Sequence, residues 1–177
     1  MKKILSISGL LLSSMFIAQV IINPGAKTSV SSPSVSLEFG NEGRGLILPY
    51  VEEAGATTAV PGTFIMDPAD KKVKLKLADG TWQNLSGAAQ VSNTIITMPS
   101  SIQENTGAQV IICSNTITPA QVPGVLILAD ADKAMILPKV SSPHLNIKNP
   151  APGMLVYDSA EKMLAVFNGT QWAFWKP

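Results

Sequence analysis

One histidine and one cysteine bound the chemistry open to this chain. His144 lies in Ser141-Ser142-Pro143-His144, and a serine beside a histidine raises nucleophilic catalysis. No Gly-x-Ser-x-Gly elbow or comparable frame accompanies it, so His144 reads as a loop residue. Zinc needs three or four His, Cys or carboxylate ligands, and one His with one Cys does not make a usual set. A lone Cys113 excludes an intramolecular disulfide and reads as a small buried residue. Asp130 and Asp132 alternate in one polar stretch, and Asp67 and Asp70 bracket another. Calcium loops combine such acids with glycine and a distal carboxylate. Neither stretch has that pattern, and both read as turn-formers. The glycines between 40 and 45 lack the Lys-Ser/Thr ending of a phosphate loop. No catalytic residue, metal site or cofactor is expected.

The aromatic residues leave a binding role open. Trp172, Phe174 and Trp175 close the chain, with Tyr157 and Phe167 nearby. Such a cluster can stack on sugar rings, or it can serve cross-strand packing. Trp82 holds the matching place in an earlier segment, which favours packing.

That earlier segment belongs to an internal duplication. Gln19-Val20-Ile21-Ile22 returns as Gln109-Val110-Ile111-Ile112, and Leu46-Ile47-Leu48-Pro49 as Met135-Ile136-Leu137-Pro138. Pro61-Gly62 returns as Pro152-Gly153, and Asp67-Pro68-Ala69-Asp70-Lys71 as Asp158-Ser159-Ala160-Glu161-Lys162. Gly80-Thr81-Trp82 returns as Gly169-Thr170-Gln171-Trp172. Repeated units usually stack or pair to bury faces that one copy leaves open. The pattern predicts an all-β chain: repeat 1 over 19–85, a polar spacer over 86–108 that is a loop or an additional short strand about Ile95-Ile96, and repeat 2 over 109–177.

Within each repeat the last third predicts a three-stranded antiparallel meander: 63–67, 72–77 and 81–85, then 154–158, 163–167 and 170–175. Asp79-Gly80 and Asn168-Gly169 predict tight type I′ turns, which need positive φ at both central residues. The apolar runs 46–51 and 135–140 each contain a proline, the mark of an edge or interrupted strand.

Residues 1–18 read as a secretory signal peptide: Lys2 and Lys3, an uncharged stretch from 4 to 17 too short for a membrane span, and Ala18 before the cut. Its removal leaves 11 basic against 12 acidic residues, a balance that argues against nucleic acid. Charged residues form 14% of the chain, against roughly 25% in ordinary globular proteins. This low charge suits a surface or assembly protein.

The repeats differ on one face. Lys72, Lys74 and Lys76 alternate with Val73, Leu75 and Leu77, the pattern of a sheet with one wet side. In repeat 2 the lysine positions become Met163, Ala165 and Phe167. That face needs a cover, from the spacer, the other repeat or, as favoured here, a partner chain in a homo-oligomer. The candidate interaction face is therefore Met163, Ala165, Phe167, Trp172, Phe174 and Trp175.

The run Pro152-Gly153-Met154-Leu155-Val156-Tyr157-Asp158, followed by Val166-Phe167-Asn168-Gly169-Thr170-Gln171-Trp172, resembles repeats in secreted β-rich proteins of Bacteroidota-type bacteria. Those repeats often stand beside fibre- or adhesin-like segments. The resemblance implies an exported surface or extracellular protein without catalytic residues, and Ser159 in Asp158-Ser159-Ala160 resembles an O-glycosylation site of such bacteria. The expected function is a non-catalytic structural or adhesive component of the cell surface or matrix, with a glycan-binding module as the alternative. Surface proteins or glycans are its expected partners, and no transmembrane segment is expected in the mature chain. Intact-mass measurement of exported protein is expected to show loss of residues 1–18, leaving Gln19 first; a mature species retaining Lys2 and Lys3 would overturn this.

Overall fold

A computed structural model describes residues 19–22, 25–40, 43–88, 109–113 and 124–176. The proposed signal peptide, most of the spacer with Ile95-Ile96, and residues 114–123 lie outside them. The described chain is almost entirely β, with thirteen strands, one 3₁₀ turn and one four-residue helix.

Two meanders dominate. The first joins β4 (Phe64–Asp67), β5 (Lys72–Lys76) and β6 (Trp82–Asn84); the second joins β11 (Met154–Asp158), β12 (Met163–Phe167) and β13 (Trp172–Trp175). They repeat each other pair for pair. Asp67 faces Lys72 as Asp158 faces Met163, Phe64 faces Leu75 as Leu155 faces Val166, and Lys76 faces Trp82 as Phe167 faces Trp172.

The first turn of each meander is built by its aspartate. Asp67 Oδ1 accepts the Ala69 N–H, Asp158 Oδ1 accepts the Ala160 N–H, and Lys71 and Lys162 close the turns at φ 59° and 56°. The second turns are not the type I′ turns the sequence predicts. Gly80 and Gly169 have positive φ, but Asp79 and Asn168 do not. Each Asp or Asn side chain instead accepts N–H bonds from residues beyond the glycine: Asp79 from Thr81, Asn168 from Thr170 and Gln171. The loops lengthen accordingly to 77–81 and 168–171.

The two meanders share one core. Met66, Val73, Leu48 and Leu85 of repeat 1 pack with Leu155 and Val166 of repeat 2, all at most 6% exposed. On the opposite face of the second meander, Val140, Met154, Val156, Ala165 and Phe167 form another cluster, with Ile147 and Trp172 against it. The helix α1 (Pro143–Asn146) and the strand β10 (Lys139–Val140) belong to this side.

The proline runs are interrupted, as their composition predicts, but each half joins a different repeat. β3 (Leu46–Ile47) pairs antiparallel with β11 of repeat 2, while Tyr50, beyond Pro49, bridges Met66 of its own repeat. β9 (Ala134–Ile136) pairs parallel with β2 (Val35–Phe39) of repeat 1, while β10, beyond Pro138, pairs with its own β11. Pro49 and Pro138 lack an N–H, yet their carbonyls accept the Met66 and Tyr157 N–H groups, both at 2.9 Å. Each proline thus marks where the chain crosses from one sheet to the next.

β1 (Val20–Ile22) completes a parallel sheet β1-β2-β9, and among the described residues β7 (Val110–Ile112) pairs with β8 (Leu126–Leu128) alone. Inside the first of these sheets Glu38 is 2% exposed. Its Oε1 accepts Lys27 Nζ and Ser31 Oγ, both at 2.6 Å, and its Oε2 accepts the Ser31 N–H at 2.6 Å. The Lys27 and Ser31 bonds outweigh burial and hold the carboxyl at about 2, below its ordinary 4.5. A depressed pKa contributes stability above the unfolded value, which is lost as pH falls through the folded one. Urea midpoints should therefore fall between pH 4.5 and about 2, and Glu38→Gln should lower the midpoint at neutral pH and flatten that acid limb.

Candidate assembly interface

A buried ion cluster lies where the sequence predicts a wet face. Lys74 is only 4% exposed. Its Nζ meets Glu53 Oε2 at 2.6 Å, Asp67 Oδ2 at 2.7 Å and Asp70 Oδ2 at 2.8 Å. The 3₁₀ turn Glu53–Gly55 brings Glu53 over β5, and the Glu53 N–H also binds Asp67 Oδ2. The alternation of β5 is intact, but this turn covers its lysine face at Lys74. Lys76, further along, lies over the Trp82 ring at 4.9 Å.

An open cleft of about 610 Å³ adjoins this cluster, lined in part by Glu52, Glu53, Asp70, Lys76 and Trp82. Burial acts to lower the Lys74 pKa, but bonds to Asp67, Asp70 and Glu53 drive it above the ordinary range. An ammonium so held is neither a nucleophile nor a general base at neutral pH. Burial likewise acts to raise Asp67, and Lys74 with the Ala69 and Glu53 N–H groups brings it below the usual carboxylate range. The cluster therefore fastens the turn to the meander. Among the described residues, no group of three or more His, Cys, Asp or Glu side chains could hold a metal.

In repeat 2, Ala165 occupies the place of Lys74, fully buried. Asp158 keeps three backbone donors on Oδ1, from Ser142, Ala160 and Glu161, while its Oδ2 has no hydrogen-bond partner.

His144 is exposed on α1 and meets the Phe174 ring edge-on, with centroids 5.8 Å apart. Cys113 is half-buried just past β7, and Asp130 pairs with Lys133 at 3.0 Å. Ser159 is exposed in the turn between β11 and β12.

The candidate interaction face divides. Ala165 and Phe167 are buried beneath the chain's own Val140 and Ile147, so in the structure their cover is intramolecular. Met163 and Trp172 are half-buried, with Trp172 tilted on Phe167 at 5.2 Å. Phe174 and Trp175 remain exposed, at 38% and 37%. Being adjacent on β13, they leave opposite faces and do not form one flat stacking platform. Trp175 Nε1 donates to Leu85 O of repeat 1 at 2.5 Å.

The larger apolar exposure lies elsewhere in repeat 2. Val110, Val125 and Leu126 are 57%, 60% and 41% exposed around β7 and β8. Of their counterparts in repeat 1, Val20 is still 38% exposed, but Val35 and Leu37 on β2 are 4% and 1% exposed, and there β9 covers the edge that β8, among the described residues, leaves open. An apolar strand with a free edge is a template for another chain.

Residues 114–176 match a family model described as the phage tail like trimerisation region. No curated protein and no solved structure matches the chain. The matched segment contains the exposed β8, the crossing strand β9 and the whole second meander. The likeness is to a structural assembly region rather than to an enzyme. Among the described residues, no helix is long and apolar enough to cross a membrane.

Sequence reasoning missed Lys74 and Glu38. The available signals were the acid-flanked lysine in Asp67-Pro68-Ala69-Asp70 followed by Lys74, and a lone glutamate inside the apolar run of β2. Replacing Lys74 with Met leaves Asp67 buried without its cation, and removing one partner of a buried pair costs about 3–5 kcal/mol. Lys74→Met should lower the urea midpoint accordingly, and adding Asp67→Asn should recover part of the loss.

Proposed function

We propose that this chain is an exported, non-catalytic structural protein whose second repeat assembles as a homotrimer in a fibre- or tail-like array. The observation that carries the reading is the match of residues 114–176 to a trimerisation region. The exposed apolar edge of β8 supports it, since an assembly module needs unsatisfied strand surface where its copies meet. The locked Lys74 cluster also supports a structural role. The resemblance of the Met154–Trp175 repeat to secreted, adhesin-like bacterial proteins supports a place at the cell surface or outside the cell, with Ser159 as an exposed glycosylation candidate. Light scattering on the mature chain should give three times the monomer mass across the working concentration range. A monomer at the highest concentration reached would overturn the reading.

A further inference from the structure

The duplication shows twice what one strand edge needs, and the described chain satisfies it once. In repeat 2, the N-terminal half of β11 receives β3: Ile47 faces Met154, Leu46 faces Leu155, and the Leu48 N–H donates to Gly153 O at 3.0 Å. Tyr50 Oη adds a bond to Pro152 O at 2.9 Å. The joint is close-packed. A Cβ on Gly153 would come within 2.8 Å of Met66 Cβ, and one on Gly45 would run into the side chains of Met154 and Val156.

The corresponding edge in repeat 1 is Gly62, Thr63 and Phe64. Its local structure is the same: Gly62 N–H bonds Lys76 O as Gly153 N–H bonds Phe167 O, and both glycines have positive φ. Among the described residues, however, β4 pairs on this half with β5 alone. A Cβ on Gly62 would meet nothing within 4 Å.

We propose that the segment 134–137 of a second copy of this chain adds to that edge as an antiparallel strand, Met135 opposite Phe64 and Ile136 opposite Thr63. The proposal deepens the trimer reading and rests on it, since it requires the copies to associate.

The repeat itself names the occupant, because Met135-Ile136-Leu137 is the counterpart of Leu46-Ile47-Leu48. The backbone groups that β9 does not turn toward β2, unpaired among the described residues, also point the right way. The Ala134 N–H bonds Ser34 O, so Ala134 and Ile136 turn their backbone toward β2, while Met135 and Leu137 turn theirs away. Leu46 and Leu48, their counterparts, are the residues that bond β11. Side-chain volumes compensate in part. Where Gly45 meets Met154 and Val156, the new joint would place Ala134 against the smaller Thr63 and the slightly larger Ile65. Exposed Lys139, in the place of Tyr50, carries a donor for Pro61 O.

The same displacement lays β3 of the first copy, with its half-exposed Ile47, along the edge of the second copy's β8 that is open among the described residues. Leu46 would then face Leu126 as Met135 faces Leu37 within the chain. The second repeat of one chain thus meets the first repeat of the next by two strand seams. Such a head-to-tail contact is of the kind that closes into a ring.

Cross-linking of the full mature chain tests this. In a Cys113→Ser background, Thr63→Cys with Ile136→Cys places two thiols at a non-hydrogen-bonded site, where facing side chains are closest. Mild oxidation should convert most of the chain to disulfide-linked dimers and trimers on a non-reducing gel. Thr63→Cys with Met135→Cys, whose second thiol leaves the other face, should remain largely uncoupled. If wild-type protein is trimeric but the first pair yields no ladder, or both pairs react equally, the seam is wrong and the trimer reading stands. If wild-type protein is a monomer, both fail. Should the first variant not fold, Phe64→Cys with Met135→Cys carries the same expectation, and absence of its ladder also overturns the seam.

Discussion

Everything in this chain depends on the apolar seam between the two meanders. Met66 and Val73 of one meander are fully buried in a cluster with Leu155 and Val166 of the other. A three-stranded meander with one side open to water is at the margin of independent stability. Here two such sheets use each other as the missing layer, which is how layered domains satisfy a one-sided sheet. Hydrogen bonds also cross the seam: the β3–β11 ladder with Leu48 to Gly153, and the side-chain bonds of Trp175 to Leu85, Asn168 to Gly87 and Tyr50 to Pro152. They fix alignment, while the burial of aliphatic side chains supplies most of the stabilisation, at about 1.5–3 kcal/mol per large side chain.

Around that seam the repeats diverge in how they treat the outer faces. Repeat 1 covers its outer face with a 3₁₀ turn and neutralises Lys74 with three carboxylates. Repeat 2 covers the same face with α1 and a wholly apolar layer, and Ala165 replaces the lysine. Both preserve the aspartate that opens the hairpin, because its backbone bonds to the turn are needed whichever cover is used. A buried ion cluster and an apolar patch are energetically similar solutions when each is complete. The unbonded Asp158 Oδ2 shows the exchange to be imperfect in repeat 2.

The sequence made the meanders legible because their signals are local. Alternation in β5, the Asp-led turns and the tryptophan after each glycine turn all act within a few residues, and they place Trp82 and Trp172 in the same register. It also showed that proline interrupts the runs ending at Val51 and Val140. It did not show that the halves on either side of Pro49 and Pro138 join different repeats, because strand pairing across so many residues leaves no periodic trace. The burial of Lys74 was hidden for a related reason. Alternation tells which side of a sheet a residue faces, not whether a distant turn will cover that side. The type I′ expectation failed on local chemistry: Asp79 and Asn168 use their side chains to close a longer loop, which removes the need for positive φ at those positions.

The pairing of β2 with β9 also sets a timetable. Glu38 lies beside Ile136, so this central strand gains its second neighbour only after roughly a hundred further residues are available. Contacts that close such long loops form late, and chains rich in them fold on millisecond to second scales rather than in microseconds. Until β9 arrives, Val35 and Leu37 sit on a strand with a bare edge, the kind of surface that captures a neighbouring chain. Speed of closure, as much as final stability, therefore decides whether newly made chains join in the intended order or tangle through an edge that the finished fold conceals.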